Sequence, residues 1–266
     1  MTQTPLYMLH LPIESRHLFA FAADTGLMAR RPALDTGYRL HALFAALFGP
    51  AAPKPFAIPD QAGANGGGDP AVLPILAYSS RPLAELRALA QAAATPQAWR
   101  AVSWDAAADK PMPAAFQAGL ALGFQLRACP VVRLARGAAS RSEGRRLPGA
   151  EVDAFLAARD AAGPGGKVER EPVYRRWLGE QFDRGGGARL QSLTVQALRR
   201  SPVFRRGHQP ADPGKASAPD RSFDRPDVTF SGRLEVTDPA AFTEWLARGV
   251  GRHRAFGFGM LLLRPA

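Results

Sequence analysis

The chain has 266 residues, 46% of them hydrophobic and 21% charged, a balance that supports a buried core and excludes a disordered polyelectrolyte. Its formal net charge of +11 implies a polyanionic partner, either nucleic acid or an anionic membrane surface. No apolar run is long enough to cross a bilayer, and Met1 to Pro5 lacks a basic segment leading into an apolar core, so the expectation is a cytoplasmic protein that spans no membrane.

Nearly all the positive charge is arginine, with lysine only at Lys54, Lys110, Lys167 and Lys215. A guanidinium forks onto phosphate and guanine edges and stacks on bases, which favours nucleic acid over lipid. Cys129 is the only cysteine, so neither an internal disulfide nor a thiolate metal cage can form, and a buried small hydrophobe is predicted there.

In chain order, Leu6 to Leu11 alternates weakly before Pro12 and predicts a first strand, followed by a loop with Arg16, His17, Arg30 and Arg31. Gly37 to Phe48 is the clearest helix: Leu40, Leu43, Phe44, Leu47 and Phe48 fall on one stripe. Tyr38 and His41, three apart, lie along the border of that stripe. An imidazole beside a phenol on a rigid element suits proton transfer, although the periodicity equally allows a half-buried histidine that packs against Tyr38.

Pro50 to Pro74 reads as a loop with one short strand near Phe56. Val72 to Tyr78 reads as a strand, Leu83 to Ala94 as a helix and Trp99 to Trp104 as a returning strand. This order fits a small α+β sandwich over residues 1–105, with a linker at 106–113 and a second domain over 114–266.

In the second half, Leu120 to Leu126 alternates as a strand broken at Pro130, and Arg136 to Arg146 is a basic, polar loop. Helices are predicted at Val152 to Ala161 and Glu171 to Phe182, and a strand at Leu190 to Leu198. Arg199, Arg200, Arg205 and Arg206 flank an apolar tip, as in a basic hairpin that tracks phosphates; a solvated charged loop is the plainer alternative. Thr229 to Val236 alternates as a strand, and Asp238-Pro239 opens a final helix that Gly249 stops.

The following stretch, Gly249-Val250-Gly251-Arg252-His253-Arg254-Ala255-Phe256-Gly257-Phe258-Gly259, concentrates glycine around cationic side chains, and Phe256 to Leu263 has strand composition. Glycine lets a backbone lie close to an anion with successive N–H groups turned toward it, and Arg252 and Arg254 add charge. The alternative is a tight turn with incidental charge. A dinucleotide fingerprint is excluded because a helix precedes the glycines and Arg254 stands where the third glycine belongs; a P-loop is excluded because Gly-Lys-Ser/Thr is absent.

Several landmarks together resemble one family: Gly37-Tyr38-Arg39-Leu40-His41 opening an apolar helix, the strand from Gly119 to Pro130, Phe230-Ser231-Gly232-Arg233-Leu234-Glu235-Val236, and Gly249-Val250-Gly251 with Phe256-Gly257-Phe258-Gly259-Met260-Leu261. The chain is similar to the CasE-type CRISPR-associated endoribonucleases of the RAMP superfamily, which cut repeat hairpins in guide-RNA precursors. The resemblance implies an α+β fold of two tandem ferredoxin-like, RRM-like domains, here with long basic loop insertions. It implies that His41 is the catalytic histidine with Tyr38 beside it. It also implies that the basic hairpin (Arg199, Arg200, Arg205, Arg206) and the glycine loop (Gly249, Gly251, Arg252, His253, Arg254, Gly257, Gly259) hold RNA. The partners would be CRISPR repeat stem-loop RNA and other subunits of a CRISPR effector complex, of the common Cascade form or the divergent type IV form.

Such chemistry needs no metal and no small-molecule cofactor. The ribose 2′-OH attacks the adjacent phosphate to give a 2′,3′-cyclic phosphate and a 5′-OH, a base takes its proton, an acid protonates the leaving oxygen, and Arg30, Arg31, Arg39 or Arg252 supplies the cation for the developing charge. The sequence has no Asp/Glu/His cluster with divalent-metal spacing, so metal-independent cleavage is expected. The alternative function is a non-catalytic RAMP-type scaffold that binds RNA without cutting it.

Overall fold

The computed structural model of the chain describes residues 5–27, 36–58, 70–134, 150–205 and 221–266. Contacts divide it into two units: Met1–Met112 with Arg200–Arg225 and Ala255–Gly257, and Pro113–Arg199 with Pro226–Arg254 and Phe258–Ala266.

The first unit runs β1 (Tyr7–Glu14), α1 (Ser15–Asp24), α2 (Thr36–Phe48), β2 (Phe56–Ala57), β3 (Val72–Ser79), α3 (Leu83–Ala93), α4 (Pro96–Arg100) and β4 (Ala108–Pro111). The strands form one sheet in the order β2-β3-β1-β4, antiparallel throughout. Alternation along β1 buries Leu9, Leu11 and Ile13, each fully inaccessible, and the α2 stripe of Leu40, Leu43, Phe44 and Leu47 joins them in one core. Phe44 meets Phe56 edge-on, with ring centroids 5.3 Å apart. α2 therefore has one fixed rotation about its axis, and that rotation decides where Tyr38 and His41 point.

The second unit runs β5 (Ala121–Ala128), β6 (Val131–Arg133), β7 (Glu151–Asp153), α5 (Ala154–Ala162), α6 (Arg170–Asp183), β8 (Ala188–Arg205), β9 (Arg221–Val236), α7 (Pro239–Arg248) and β10 (Leu261–Pro265), with β8 from Arg200 on and β9 up to Arg225 counted in the first unit. Its main sheet has the order β10-β5-β9-β8, and β6 pairs with β7 in a separate two-stranded ribbon. Leu126 stands opposite Phe230 and Leu122 opposite Leu234. Phe124, Phe182 and Trp245 continue the core, with centroids 5.7 Å and 4.8 Å apart along the chain of rings. In each unit the second and fourth strands in sequence flank the third and first in the pattern 2-3-1-4, so the fold is two ferredoxin-like domains, as the α+β expectation had it.

Four local expectations give way. The loop expected after β1 contains α1, which buries Leu18, Phe21 and Ala22; Glu14 precedes it without a capping side-chain bond, so the helix has no start signal in the sequence. Trp99 to Trp104 is not a strand: Pro96–Arg100 is helical, Thr95 Oγ1 accepts from the Ala98 N–H at 3.3 Å, and the two indoles stack at 4.5 Å. The expected linker holds β4, an edge strand of wholly exposed residues that pairs from Tyr7↔Pro111 to His10↔Ala108. An exposed edge strand carries no hydrophobic alternation, which hides it from pattern reading. Finally, Arg254–Phe256 is a 3₁₀ turn, and β10 begins only at Leu261.

Asp238 caps α7 with its Oδ1 accepting from the N–H groups of Ala240 and Ala241, each at 3.0 Å. Asp238→Ala is expected to lower stability by about 1 kcal/mol, read as a lower denaturant midpoint, with exposed Glu244→Ala as a control that leaves it in place.

Candidate functional site

α2 places Tyr38 and His41 on neighbouring turns with ring centroids 6.3 Å apart. Tyr38 is buried and His41 half-buried. Phe256, which by its contacts belongs to the first unit, lies parallel to the Tyr38 ring at 6.1 Å and tilted against the imidazole at 4.9 Å. The imidazole is thus held between a helix and an aromatic face, with part of its edge open to solvent. Burial lowers the His41 pKa below the usual 6.5, and the positive charge of Lys54 lowers it further. At neutral pH the ring is uncharged and able to accept a proton.

Lys54 is an exposed side chain just before β2. Reading the sequence did not single it out, because it sits in a proline- and glycine-rich stretch with no motif. Phe256 was read as part of the closing glycine motif and of a strand, and not as a neighbour of His41; its place within a glycine run was the available signal.

The predicted cations divide. Arg39 is buried: its guanidinium lies 4.2 Å from the Phe19 ring centroid, and Nη2 donates to Thr36 Oγ1 at 3.1 Å, so its charge is committed inside the domain. Arg30 and Arg31 lie outside the described residues, as does Arg206. Arg199 and Arg200 are exposed on β8, an edge strand on which no residue from Arg189 to Ser201 is buried, and Arg205 is the last residue of that strand. Among the described residues no three His, Cys, Asp or Glu side chains gather as a metal site.

The glycine loop closes on itself. The Val250 N–H donates to the Gly259 carbonyl at 2.8 Å, and the Gly259 N–H donates to the Arg127 carbonyl at 2.8 Å. The Gly249 N–H donates back to Trp245 at 2.7 Å as the helix end. These three donors serve closure, so they form no anion cradle; Gly249, Gly257 and Gly259 are buried. Two glycines are required sterically. Gly251 has φ +72°, and a Cβ there would come within 2.9 Å of the Trp177 indole; at Gly259, φ is +80° and a Cβ would meet the Val250 carbonyl at 2.4 Å.

The loop's charge is therefore carried by side chains. Arg252 is exposed, while His253 and Arg254 are half-buried. Arg254 Nη1 donates to the Arg248 carbonyl, and burial, aided by the Arg248 and Arg252 charges, lowers its pKa. Glu151, which carried no motif, accepts from Arg252 Nε, and its second oxygen stands 3.0 Å from His253 Nε2. Beneath the loop, Arg127 makes a two-pronged pair with buried Asp227, Nε to Oδ1 at 2.9 Å and Nη2 to Oδ2 at 2.7 Å, and lies 4.6 Å from the Phe258 ring centroid.

Residues 6–265 match the family model for CRISPR associated proteins. The chain belongs to this family. Among solved structures, the fold is shared with the CRISPR endoribonuclease Cse3 bound to a 19-nucleotide RNA (18% identity, TM-score 0.58, 98% of this chain and 100% of that one). It is shared as well with Thermus thermophilus Cse3 bound to an RNA representing a pre-cleavage complex (20%, 0.57, 98% and 100%). Cas6e from Escherichia coli K-12 also has it (19%, 0.53, 97% and 100%). No curated protein sequence matches the chain.

Because its folded pKa lies below the unfolded value, His41 resists protonation in the fold; stability on this account is full above pH 6.5 and declines as pH falls below it. An NMR titration should give His41 a midpoint below 6.5, raised in Lys54→Gln but still below 6.5 because burial is the larger cause. A wild-type midpoint at or above 6.5 contradicts this.

Proposed function

We propose that this CRISPR-associated protein is a CasE-type endoribonuclease that cuts repeat hairpins in guide-RNA precursors. The observation that carries the reading is the half-buried His41, its pKa lowered by burial and by Lys54, flanked by Tyr38 and Phe256. The fold shared with RNA-bound Cse3 supports it.

In this reading His41 takes the proton of the ribose 2′-OH as that oxygen attacks the adjacent phosphorus. The P–O5′ bond breaks and the departing oxygen takes a proton from water, leaving a 2′,3′-cyclic phosphate on one product and a 5′-OH on the other. Lys54 supplies positive charge near the phosphorane, in place of the inward-turned Arg39. Tyr38 and Phe256 hold the imidazole so that little freedom is lost when RNA arrives. Arg199 and Arg200 on the exposed strand, and Arg252 on the loop, meet phosphates of the stem, whose A-form groove is read by shape and backbone. The cut hairpin stays bound, and the protein acts as a subunit of the effector particle in the cytoplasm.

The test uses the purified full chain with end-labelled repeat RNA in EDTA. Single-site cutting with a cyclic-phosphate end is expected, and His41→Ala should slow it by about 10²- to 10⁴-fold while RNA binding persists. Activity lost in EDTA and restored by Mg²⁺ would contradict the metal-free chemistry. Tight binding without cutting would make the chain a scaffold subunit.

A further inference from the structure

Glu151 opens β7 in the small β6–β7 ribbon and has no place in the cleavage chemistry. Its carboxylate is shared by two consecutive loop residues, accepting from Arg252 Nε at one oxygen and facing His253 Nε2 at 3.0 Å from the other. His253 holds φ +61°, a left-handed conformation that a non-glycine residue keeps only when its surroundings fix it. The loop floor is fixed independently: Gly251 sits against Trp177, whose Nε1 donates to the Val131 carbonyl of β6 at 3.3 Å. The β6–β7 ribbon and the loop are therefore tied at two points.

The exposures set a direction. The Glu151 and His253 side chains are 17% and 14% accessible, whereas that of Arg252 is 42% accessible. The Arg252 side chain is thus more open to solvent than the carboxylate that holds it. With the Nε side of the guanidinium held by Glu151, the terminal Nη1/Nη2 edge is the one left to fork onto a phosphate.

We propose that Glu151 is a positioning residue for RNA binding: it fixes the Arg252 guanidinium so that its terminal edge meets one phosphodiester of the bound stem. This rests on the RNA-binding reading given above. The proposal opposes simple Coulomb reasoning, in which a carboxylate next to the loop cations of a protein of net charge +11 repels RNA and its removal tightens binding. Positioning reverses the sign, because a free arginine must give up its rotamer freedom to make the same contact.

Anisotropy titrations of a labelled repeat hairpin over a range of salt concentrations decide between them, using wild type, Glu151→Ala, Glu151→Gln, Arg252→Ala and the Glu151→Ala/Arg252→Ala pair. Glu151→Ala is expected to bind about 10-fold more weakly than wild type despite its added positive charge, with a salt slope shallower by about one contact. The paired variant should bind no more weakly than Arg252→Ala alone, which a general loss of structure would not produce. If Glu151→Ala melts early, the near-isosteric Glu151→Gln, which removes the charge that holds the Arg252 guanidinium, carries the comparison and should also bind more weakly than wild type. Equal or tighter binding by both Glu151 variants, or full additivity with Arg252→Ala, overturns the proposal alone. Failure of wild type to bind the hairpin overturns the RNA reading and this inference with it.

Discussion

Two backbone hydrogen bonds, Val250 N–H to the Gly259 carbonyl and Gly259 N–H to the Arg127 carbonyl, define the loop on which the functional reading depends. They draw the ends of a ten-residue excursion together and fasten one end to β5, so the residues between are presented as a compact loop of set shape. The closure demands glycine at 259 because the Val250 carbonyl fills the space of a side chain. Arg127 reinforces the anchor through Asp227 and Phe258. A loop closed in this way can hold Arg252 at its surface, with His253 and Arg254 half-buried beside it, without the cost of ordering the backbone at each encounter with a ligand.

Charge is managed with similar economy around it. Arg39 and Arg127 are turned inward onto a ring and a carboxylate, Arg252 is braced by Glu151, and Arg199 and Arg200 stand on an exposed sheet edge. The net positive charge is thus an aggregate of arginines with different duties, and only those with an open guanidinium edge can meet a polyanion. At His41 the same logic acts on a titratable group, where burial and Lys54 hold the imidazole neutral.

Elements with strong amphipathic periodicity were legible in the sequence: α2 by its apolar stripe, β5 by its alternation, α7 by Asp238-Pro239 at one end and Gly249 at the other. α1, α4 and β4 were not. α1 lacks a capping side chain, α4 is a single turn between aromatics, and β4 is an exposed edge whose residues bury nothing. The β6–β7 ribbon went unseen because its strands are three residues long and separated by a long basic stretch. At the site, Tyr38, His41 and Arg252 could be named from motif and spacing. Phe256, Lys54 and Glu151 could not, since each acts through a contact between residues distant in sequence, which periodicity does not encode. The glycines stood out as places of close approach, and the structure supplies two neighbours that require it, the Trp177 indole at Gly251 and the Val250 carbonyl at Gly259.

The proposed function requires that the His41 face of α2 meets RNA, and that the closed glycine loop does so in its own right. Photo-crosslinking of a 4-thiouridine-substituted repeat hairpin to the full chain, with the crosslinked peptides identified by mass spectrometry, examines this directly. Crosslinks in peptides spanning residues 249–256 and 36–48 are the result the account predicts. Crosslinks that avoid both segments and gather elsewhere on the chain would contradict it.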